Sequence, residues 1–225
     1  MQARMGSERL PGKTLLKLGD KLLIDHVIER ALITEEIDCV VLATTELPED
    51  DELVKYVSRK YSVKIYRGSP KDVRSRFVNI AEETCADIIV RITADDPFKD
   101  PTETFDLINL LKREKLDYVC NFVPQELPIG MDAEAFTSAA LFNSVQVFNS
   151  PLDLEHVTWN LRSPNYNWKS ISHSVFQPQT RLTVDIPSDL DYCSEIAVTL
   201  RDYSLGFSWG DTRRAIQIRD GHPRI

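Results

Sequence analysis

The chain has 225 residues, enough for one large domain with a sizeable buried core. Its 42% hydrophobic and 28% charged content is ordinary for a globular protein. A formal net charge of −8 argues against general nucleic-acid binding or attachment to an anionic membrane, and no run of about 18 apolar residues offers a membrane span.

The N-terminus opens with a basic loop, M-Q-A-R-M-G-S-E-R-L-P-G-K over residues 1–13. A helical pattern follows at 23–33. Residues 39–44 (C-V-V-L-A-T), 63–66 and 87–93 are short β-branched-rich runs, which suit strands covered on both faces as in a parallel sheet. Helical patterns at 49–61, 70–85 and 101–113 separate them. Ser69-Pro70-Lys71-Asp72 and Asp100-Pro101-Thr102-Glu103 each place a cap, a first-turn proline and an acid at the third position. This alternation predicts a layered α/β fold. Beyond about residue 115 the pattern predicts strands at 117–122 and 131–136, helices at 138–148 and 152–161, a short strand at 181–184 and a helix at 187–200. One domain over residues 1–225 is expected, with about 125–180 partly excursive. The cysteines (Cys39, Cys85, Cys120 and Cys193) form no C-x-x-C pair, so neither a zinc site nor a disulfide framework is expected. Cys39 and Cys120 lie in apolar runs and read as small core residues. With no signal peptide in the sequence, a reduced, cytoplasmic protein is expected.

Two glycines, two arginines and a lysine in the opening loop suit a polyphosphate, since glycine admits close backbone approach and the cations neutralise charge. On composition alone the loop reads equally as a solvated basic turn. Gly12-Lys13-Thr14 resembles the end of a P-loop, but five residues rather than four separate Gly6 from Gly12, and Pro11 precedes the second glycine. The P-loop reading fails.

Asp95 and Asp185 each follow an apolar strand pattern, at the strand end where open α/β sheets bind ligands. Magnesium is held by one or two carboxylates together with phosphate oxygens and water. Taken alone, either aspartate reads as a turn or helix cap. Asp132 and Glu134 alternate on a predicted strand and share a face, fitting either sugar hydroxyls or a solvent-facing edge. Glu155-His156 falls in an amphipathic helix, where a structural histidine is the plainer reading. His26 and His173 have no supporting partners in sequence.

Gln2-Ala3-Arg4-Met5-Gly6-Ser7 with Arg9-Leu10-Pro11-Gly12-Lys13 resembles the opening motif of bacterial cytidylyltransferases. These are the acylneuraminate and keto-deoxy-octulosonate activating enzymes, and especially the spore-coat polysaccharide biosynthesis protein F group. The resemblance continues in order through Ala43-Thr44-Thr45, Tyr66-Arg67-Gly68-Ser69, Asp72-Val73 with Ser75-Arg76, and Val90-Arg91-Ile92-Thr93-Ala94-Asp95. It extends to Gly130-Met131-Asp132-Ala133-Glu134, Glu155-His156-Val157-Thr158 and Arg181-Leu182-Thr183-Val184-Asp185.

The resemblance implies a Rossmann-like three-layer α/β/α nucleotide-diphospho-sugar transferase fold with a mostly parallel sheet. In that fold a first strand precedes the basic loop. Here the sequence starts almost inside the loop, so that strand is expected to be missing from the middle of the sheet. The resemblance also implies a metal-dependent enzyme that activates an acid sugar with a nucleoside triphosphate, CTP, giving a CMP-sugar and pyrophosphate for surface polysaccharide or glycan synthesis. Nucleotide contacts are implied at Gln2, Ala3, Arg4, Gly6, Ser7, Arg9, Lys13, Thr44, Arg67 and Arg76. Catalytic roles are implied for Arg4, Lys13, Asp95 and Asp185, with the two aspartates holding Mg²⁺. Sugar contacts are implied at Asp132, Glu134, Glu155, His156 and Arg181. Members of the family commonly form homodimers. The family's usual Gly-Asp is Ala94-Asp95 here, and Asp96 follows it as a second candidate ligand or a cap for the turn at Pro97. A sugar-1-phosphate nucleotidyltransferase using another base, or a catalytically silent nucleotide-sugar-binding protein, are the alternative readings.

Overall fold

The computed structural model describes residues 1–147, 150–173, 180–201, 203 and 206–221. After the opening loop, β1 (Lys17–Leu18) and β2 (Lys21–Leu22) form a short antiparallel hairpin that leads into α1 (Leu23–Ile33). Leu23, Ile24, Val27, Ile28 and Ala31 fall on one side of α1 and are buried, as their helical spacing predicts. The chain then runs through β3 (Val41–Thr45), α2 (Asp51–Lys60), β4 (Lys64–Gly68), α3 (Val73–Thr84), β5 (Ile88–Arg91) and α4 (Pro101–Glu114). Next come β6 (Tyr118–Cys120), β7 (Glu134–Thr137), α5 (Ser138–Val147), α6 (Pro151–His156), β8 (Trp168–Ser170), α7 (Pro187–Leu200) and α8 (Trp209–Arg219).

β3 and β4 pair in parallel. Beyond β5, β7 runs antiparallel to both β5 and β6, and β8 pairs in parallel with β6. Only β7 is therefore reversed among the described strands of a sheet that is otherwise parallel. Between β3 and β5 no strand is formed among the described residues, and residues 1–3 make only isolated bridges there. Gln2 bridges in parallel to Ala43 on one side and Thr93 on the other. Gln2 N donates to Ile92 O at 2.8 Å, Ala3 N to Ala43 O at 3.2 Å, and Ala94 N to Gln2 O at 3.0 Å. These rungs supply backbone partners at one end of the gap between β3 and β5. A cavity of about 320 Å³ lies next to Met1, lined by Val41, Ile88, Val90 and Ile108 among others.

The three layers follow from strand alternation. Tyr118 and Cys120 pack with Phe77 of α3 and Leu141 of α5. Val119, between them, packs with Leu107, Ile108 and Leu111 of α4. Successive strand residues face opposite sides, so helices cover both faces. A further cluster joins Leu18, Phe98, Met131 and Val184 to α7 and α8. Among the described residues, no helix is long and apolar enough to cross a membrane.

Several boundaries differ from expectation. α3 begins at Val73 because Ser69 Oγ accepts from the amides of Lys71 and Asp72 in a turn, while Asp72 caps the helix by accepting from Ser75 N at 2.8 Å. The helix expected over 152–161 breaks at Val157, whose φ of 55° no helix accommodates, and resumes as a 3₁₀ turn, Trp159–Arg162. The strand expected at 181–184 makes no ladder: Arg181 forms an isolated bridge to Ile129 and the chain bends at Thr183. Leu182 N donates to Ile129 O at 2.7 Å and Val184 N to Asp95 O at 2.8 Å, both acceptors lying in loops. Cys120 is buried, but Cys39 is exposed, because it precedes β3 rather than belonging to it. α5 agrees with expectation to Val147, and Phe148 lies outside the described residues.

Candidate active site

The opening loop is held from two directions. Asp50, fully buried at the head of α2, accepts from Met5 N at 2.6 Å, from Thr45 N at 3.3 Å and from Thr45 Oγ1. Gly12 N donates to Met5 O at 3.0 Å and Thr14 Oγ1 to Arg4 O at 3.0 Å, closing the loop on itself. Gly12 takes φ 69°, a left-handed value that glycine adopts without a Cβ clash. Ser7 N donates to Met5 O at 2.8 Å, and Ser7 Oγ accepts from Leu10 N at 3.4 Å. The side chains of Arg4 and Arg9 remain exposed on this frame.

Lys13 is the centre of the site. Its Nζ donates to Asp95 Oδ2 at 2.9 Å, to Asp185 Oδ1 at 2.9 Å and to Val184 O at 2.8 Å. Asp185 also pairs with Arg9 at 3.0 Å and with Arg181. Asp189 Oδ2 accepts from the amides of Asp185 and Ile186, which fixes the start of α7 behind the carboxylate. Partial burial works to raise the Asp185 carboxyl, but the hydrogen bond and charge of Lys13, with Arg9 and Arg181, outweigh it and hold the group below its ordinary range. Three cations thus face three carboxylates, because Asp189 also stands 3.4 Å from Arg181.

The donor set fits magnesium. Two carboxylates from separate segments converge on one cationic atom, and among the described residues no group of three or more His, Cys, Asp or Glu side chains is arranged to hold a metal. Such a pair suits an ion that keeps water and phosphate oxygens as its other ligands, and not a closed protein cage. Asp96 turns away from this point. It accepts from Thr93 Oγ1 at 2.5 Å and pairs with Lys99 at 3.1 Å, and burial, opposed by Lys99, raises its carboxyl.

The remaining nucleotide candidates border the loop. Gln2 Oε1 accepts from Arg91 Nε at 3.0 Å, and Ala3 is buried in the ladder. A Cβ on Gly6 would stand 2.4 Å from Glu49 Oε1. Thr44 is fully buried, with no hydrogen-bond partner for its hydroxyl among the described residues. Arg67 donates to Thr45 O and Leu47 O, each at 2.9 Å, and pairs with Asp51 at 2.6 Å, so it braces the end of β3. Buried Arg76 donates to Ala43 O at 3.2 Å; burial lowers its pKa, and the nearby charge of Arg4 lowers it further.

Similarity to known proteins decides the family. The model of the cytidylyltransferase family matches residues 1–198. The chain belongs to the cytidylyltransferase family. It is accordingly a nucleotidyltransferase. It is 35% identical to an uncharacterised protein of Methanocaldococcus jannaschii, covering 100% of this chain and 90% of that one. It is 30% identical to the spore coat polysaccharide biosynthesis protein SpsF of Bacillus subtilis, covering 85% of this chain and 82% of that one. A solved cytidylyltransferase from Leptospira borgpetersenii superposes with a TM-score of 0.88 at 29% identity, covering 98% of this chain and 93% of that one.

In this cytidylyltransferase a second cavity, of about 230 Å³, lies beside the Asp95 segment and is lined by Thr93, Asp96, Asp132, Glu134 and His156 among others. It gathers three of the five residues expected to meet a sugar. Asp132 Oδ1 accepts from Gln125 Nε2 at 2.9 Å. Glu134 is buried and fully engaged, accepting from Arg91 at 2.7 Å, Tyr118 OH at 2.8 Å and Thr158 Oγ1 at 2.7 Å. Burial raises its carboxyl, and Arg91 first among its partners reverses this to a net lowering. His156 stands at the rim with its ring centroid 6.3 Å from that of Trp159. Glu155 is exposed and does not line the cavity, and Arg181 stands with Asp185 instead. His26 and His173 are engaged with Leu18 O and Glu103, each at 2.9 Å.

Sequence reasoning missed Asp50, Lys99, Trp159 and Arg162. Asp50 reads as one acid in an acidic helix start, and its partner Met5 is 45 residues away. Trp159 falls in, and Arg162 just beyond, what the pattern predicts to be a continuous helix over 152–161, and the turn after Val157 brings both to the cavity wall.

Proposed function

We propose that this cytidylyltransferase transfers CMP from CTP to a hydroxyl of an acid sugar, with Mg²⁺, for polysaccharide or glycan synthesis. The observation that carries the reading is the convergence of Asp95 and Asp185 on Lys13 at the root of the basic loop. Arg4, Arg9 and Lys13 would bear the triphosphate, while Asp95 and Asp185 would hold Mg²⁺ together with phosphate oxygens. The ion supplies Lewis-acid stabilisation of charge on the transferring phosphoryl group.

Transfer forms a bond from the sugar oxygen to the α-phosphorus and breaks the bond from that phosphorus to the bridging oxygen. Pyrophosphate leaves, and the hydroxyl proton passes to a base. The loop contributes positioning and fixed positive charge, the two effects that dominate phosphoryl transfer. The polysaccharide assignment is supported by the name of the Bacillus subtilis relative. The test is pyrophosphate release from a panel of CTP, GTP, UTP and dTTP with acid sugars and sugar 1-phosphates as acceptors. Turnover with CTP and an acid sugar is expected, and turnover only with another nucleotide would overturn the assignment.

A further inference from the structure

Glu134 lines the cavity beside Asp95, yet little of its carboxylate is left for a sugar. Arg91 Nη1 donates to Oε1 at 2.7 Å, while Tyr118 OH at 2.8 Å and Thr158 Oγ1 at 2.7 Å share Oε2. A carboxylate oxygen offers two lone-pair sites, so Oε2 is full. Arg91 is held at a second atom, its Nε donating to Gln2 Oε1 at 3.0 Å. The backbone prepares this pairing, because Arg91 and Glu134 are cross-strand partners in β5 and β7. A continuous polar chain therefore runs from Gln2 through Arg91 and Glu134 to Thr158.

Its two ends belong to different halves of the site. Gln2 opens the basic loop, and its carbonyl accepts from Ala94 N, the residue before Asp95, at 3.0 Å. Thr158 belongs to the cavity wall and follows Val157, whose φ of 55° is an outlier for a β-branched residue. A strained turn persists where its surroundings over-determine it. Val157 and Leu161 pack into the cluster around Tyr118, which places the turn but gives it no direction. Direction comes from the bond to Glu134, since the other hydrogen bonds of Thr158 among the described residues are local, to His156 and Leu161. The 3₁₀ segment beyond carries Trp159 and Arg162 to the cavity, with the Arg162 guanidinium carbon 5.2 Å from the Trp159 centroid and 5.3 Å from that of Phe122.

A buried ion pair adds little net stability over apolar residues of similar volume, because desolvation offsets the attraction. A satisfied polar network does fix one geometry. We propose that Glu134 is a positioning residue for transfer, which with Arg91 sets the acceptor-side turn in register with the nucleotide loop and does not itself bind the sugar. The proposal rests on the reading of this protein as a CMP-transferring enzyme with its acceptor in this cavity. The attacking oxygen and the α-phosphorus must be aligned, and a misplacement of about 1 Å costs about 10²-fold in rate. Slackening the turn therefore lowers kcat more than it raises KM.

Glu134→Gln would strand the buried charge of Arg91, so the test perturbs the two ends of the chain in the whole protein. Gln2→Met removes the acceptor at one end, Thr158→Val removes the donor at the other, and Thr158→Ser keeps that donor. The first measurement is amide hydrogen exchange over residues 156–163 without substrates. Gln2→Met is expected to speed it about threefold or more, although Gln2 and Thr158 share no hydrogen bond among the described residues. The second is pyrophosphate release from CTP with 3-deoxy-manno-octulosonate or N-acetylneuraminate. Gln2→Met and Thr158→Val are each expected to lower kcat about tenfold, with acceptor KM within about threefold and Thr158→Ser close to wild type. The double variant is expected to fall well short of the roughly hundredfold product, because both changes break one chain. Unchanged exchange in Gln2→Met, a wild-type kcat in Thr158→Val, a rise confined to acceptor KM, or kcat losses that multiply would each overturn the proposal. Failure of the enzyme reading shows separately: a wild type that releases no pyrophosphate, while Gln2→Met still loosens the turn, sinks that reading and upholds the link.

Discussion

Replacing Asp185 by asparagine separates two roles that the geometry assigns to one cluster. Asp185 pairs with Lys13 at 2.9 Å, with Arg9 at 3.0 Å and with Arg181. In the free protein these three cations face Asp95, Asp185 and Asp189, and Asp185→Asn changes the local balance by one positive charge. Two unit charges about 4 Å apart in a solvent-like medium interact by about 1 kcal/mol, which corresponds to about fivefold in affinity. Binding of CTP without metal is therefore expected to tighten slightly or stay level. Mg²⁺-dependent turnover moves the other way, because one of two carboxylate donors is lost, and a fall of about 10²–10³-fold is expected for removing a single electrostatic element of a transfer site. The assay pairs calorimetry of CTP in EDTA with initial-rate pyrophosphate release in Mg²⁺. Unchanged turnover, or metal-free CTP affinity falling in parallel with turnover, would refute the placement of Asp185 at the metal.

Three further substitutions probe the frame. Gly130 has φ 101°, and a Cβ there would stand 2.6 Å from Thr183 N and 2.7 Å from Leu182 C. Both contacts are backbone, so Gly130→Ala should destabilise by about 3 kcal/mol and lower Tm by about 6–12 °C in calorimetry; a shift under about 2 °C would contradict the close approach. Asp50→Ala strands the amides of Met5 and Thr45, costing about 3 kcal/mol in urea denaturation and raising KM for CTP more than kcat changes. Asp25 accepts from Tyr56 at 2.9 Å and Tyr61 at 2.8 Å and pairs with Lys60 at 2.8 Å. Burial raises its carboxyl, but Lys60 and the tyrosines prevail and leave it below its ordinary range. Its contribution is thus complete above about pH 4, the unfolded value, and is lost as pH falls through the lower folded value. The stability gap between wild type and Asp25→Asn, about 2 kcal/mol at pH 7, should shrink toward pH 3; a gap independent of pH would count against the network.

Local signals carried much of this fold. The helices at Leu23–Ile33 and Pro187–Leu200 were legible to the residue, the first from its helical spacing and the second from its spacing and first-turn proline. Asp100 and Pro101 capped α4 as their types predict. Where two local devices compete, sequence pattern failed: Ser69 formed a turn and left the cap to Asp72. β8 has three residues and little apolar character, which hides it in sequence. α8 was missed despite a readable Ser208-x-x-Asp211 capping box. The site divides in the same way. Lys13, Asp95 and Asp185 were singled out from their motifs and do meet, although 82 and 172 residues separate Lys13 from its two partners. Glu134 was picked out as well, but its saturation by Arg91, Tyr118 and Thr158 is a tertiary fact. The aromatic frame around Arg162 depends on the positive φ of Val157, which no propensity of valine suggests.

The central claim is that the basic loop and the Asp95–Asp185 pair carry out cytidylyl transfer to an acid sugar. The most direct measurement is a mass spectrum of the products formed from CTP and a panel of acid sugars, with Mg²⁺ or with excess EDTA. The account predicts a CMP-sugar and an equal amount of pyrophosphate in Mg²⁺, and neither in EDTA. CTP bound by the protein in Mg²⁺ yet recovered intact across the panel would contradict it.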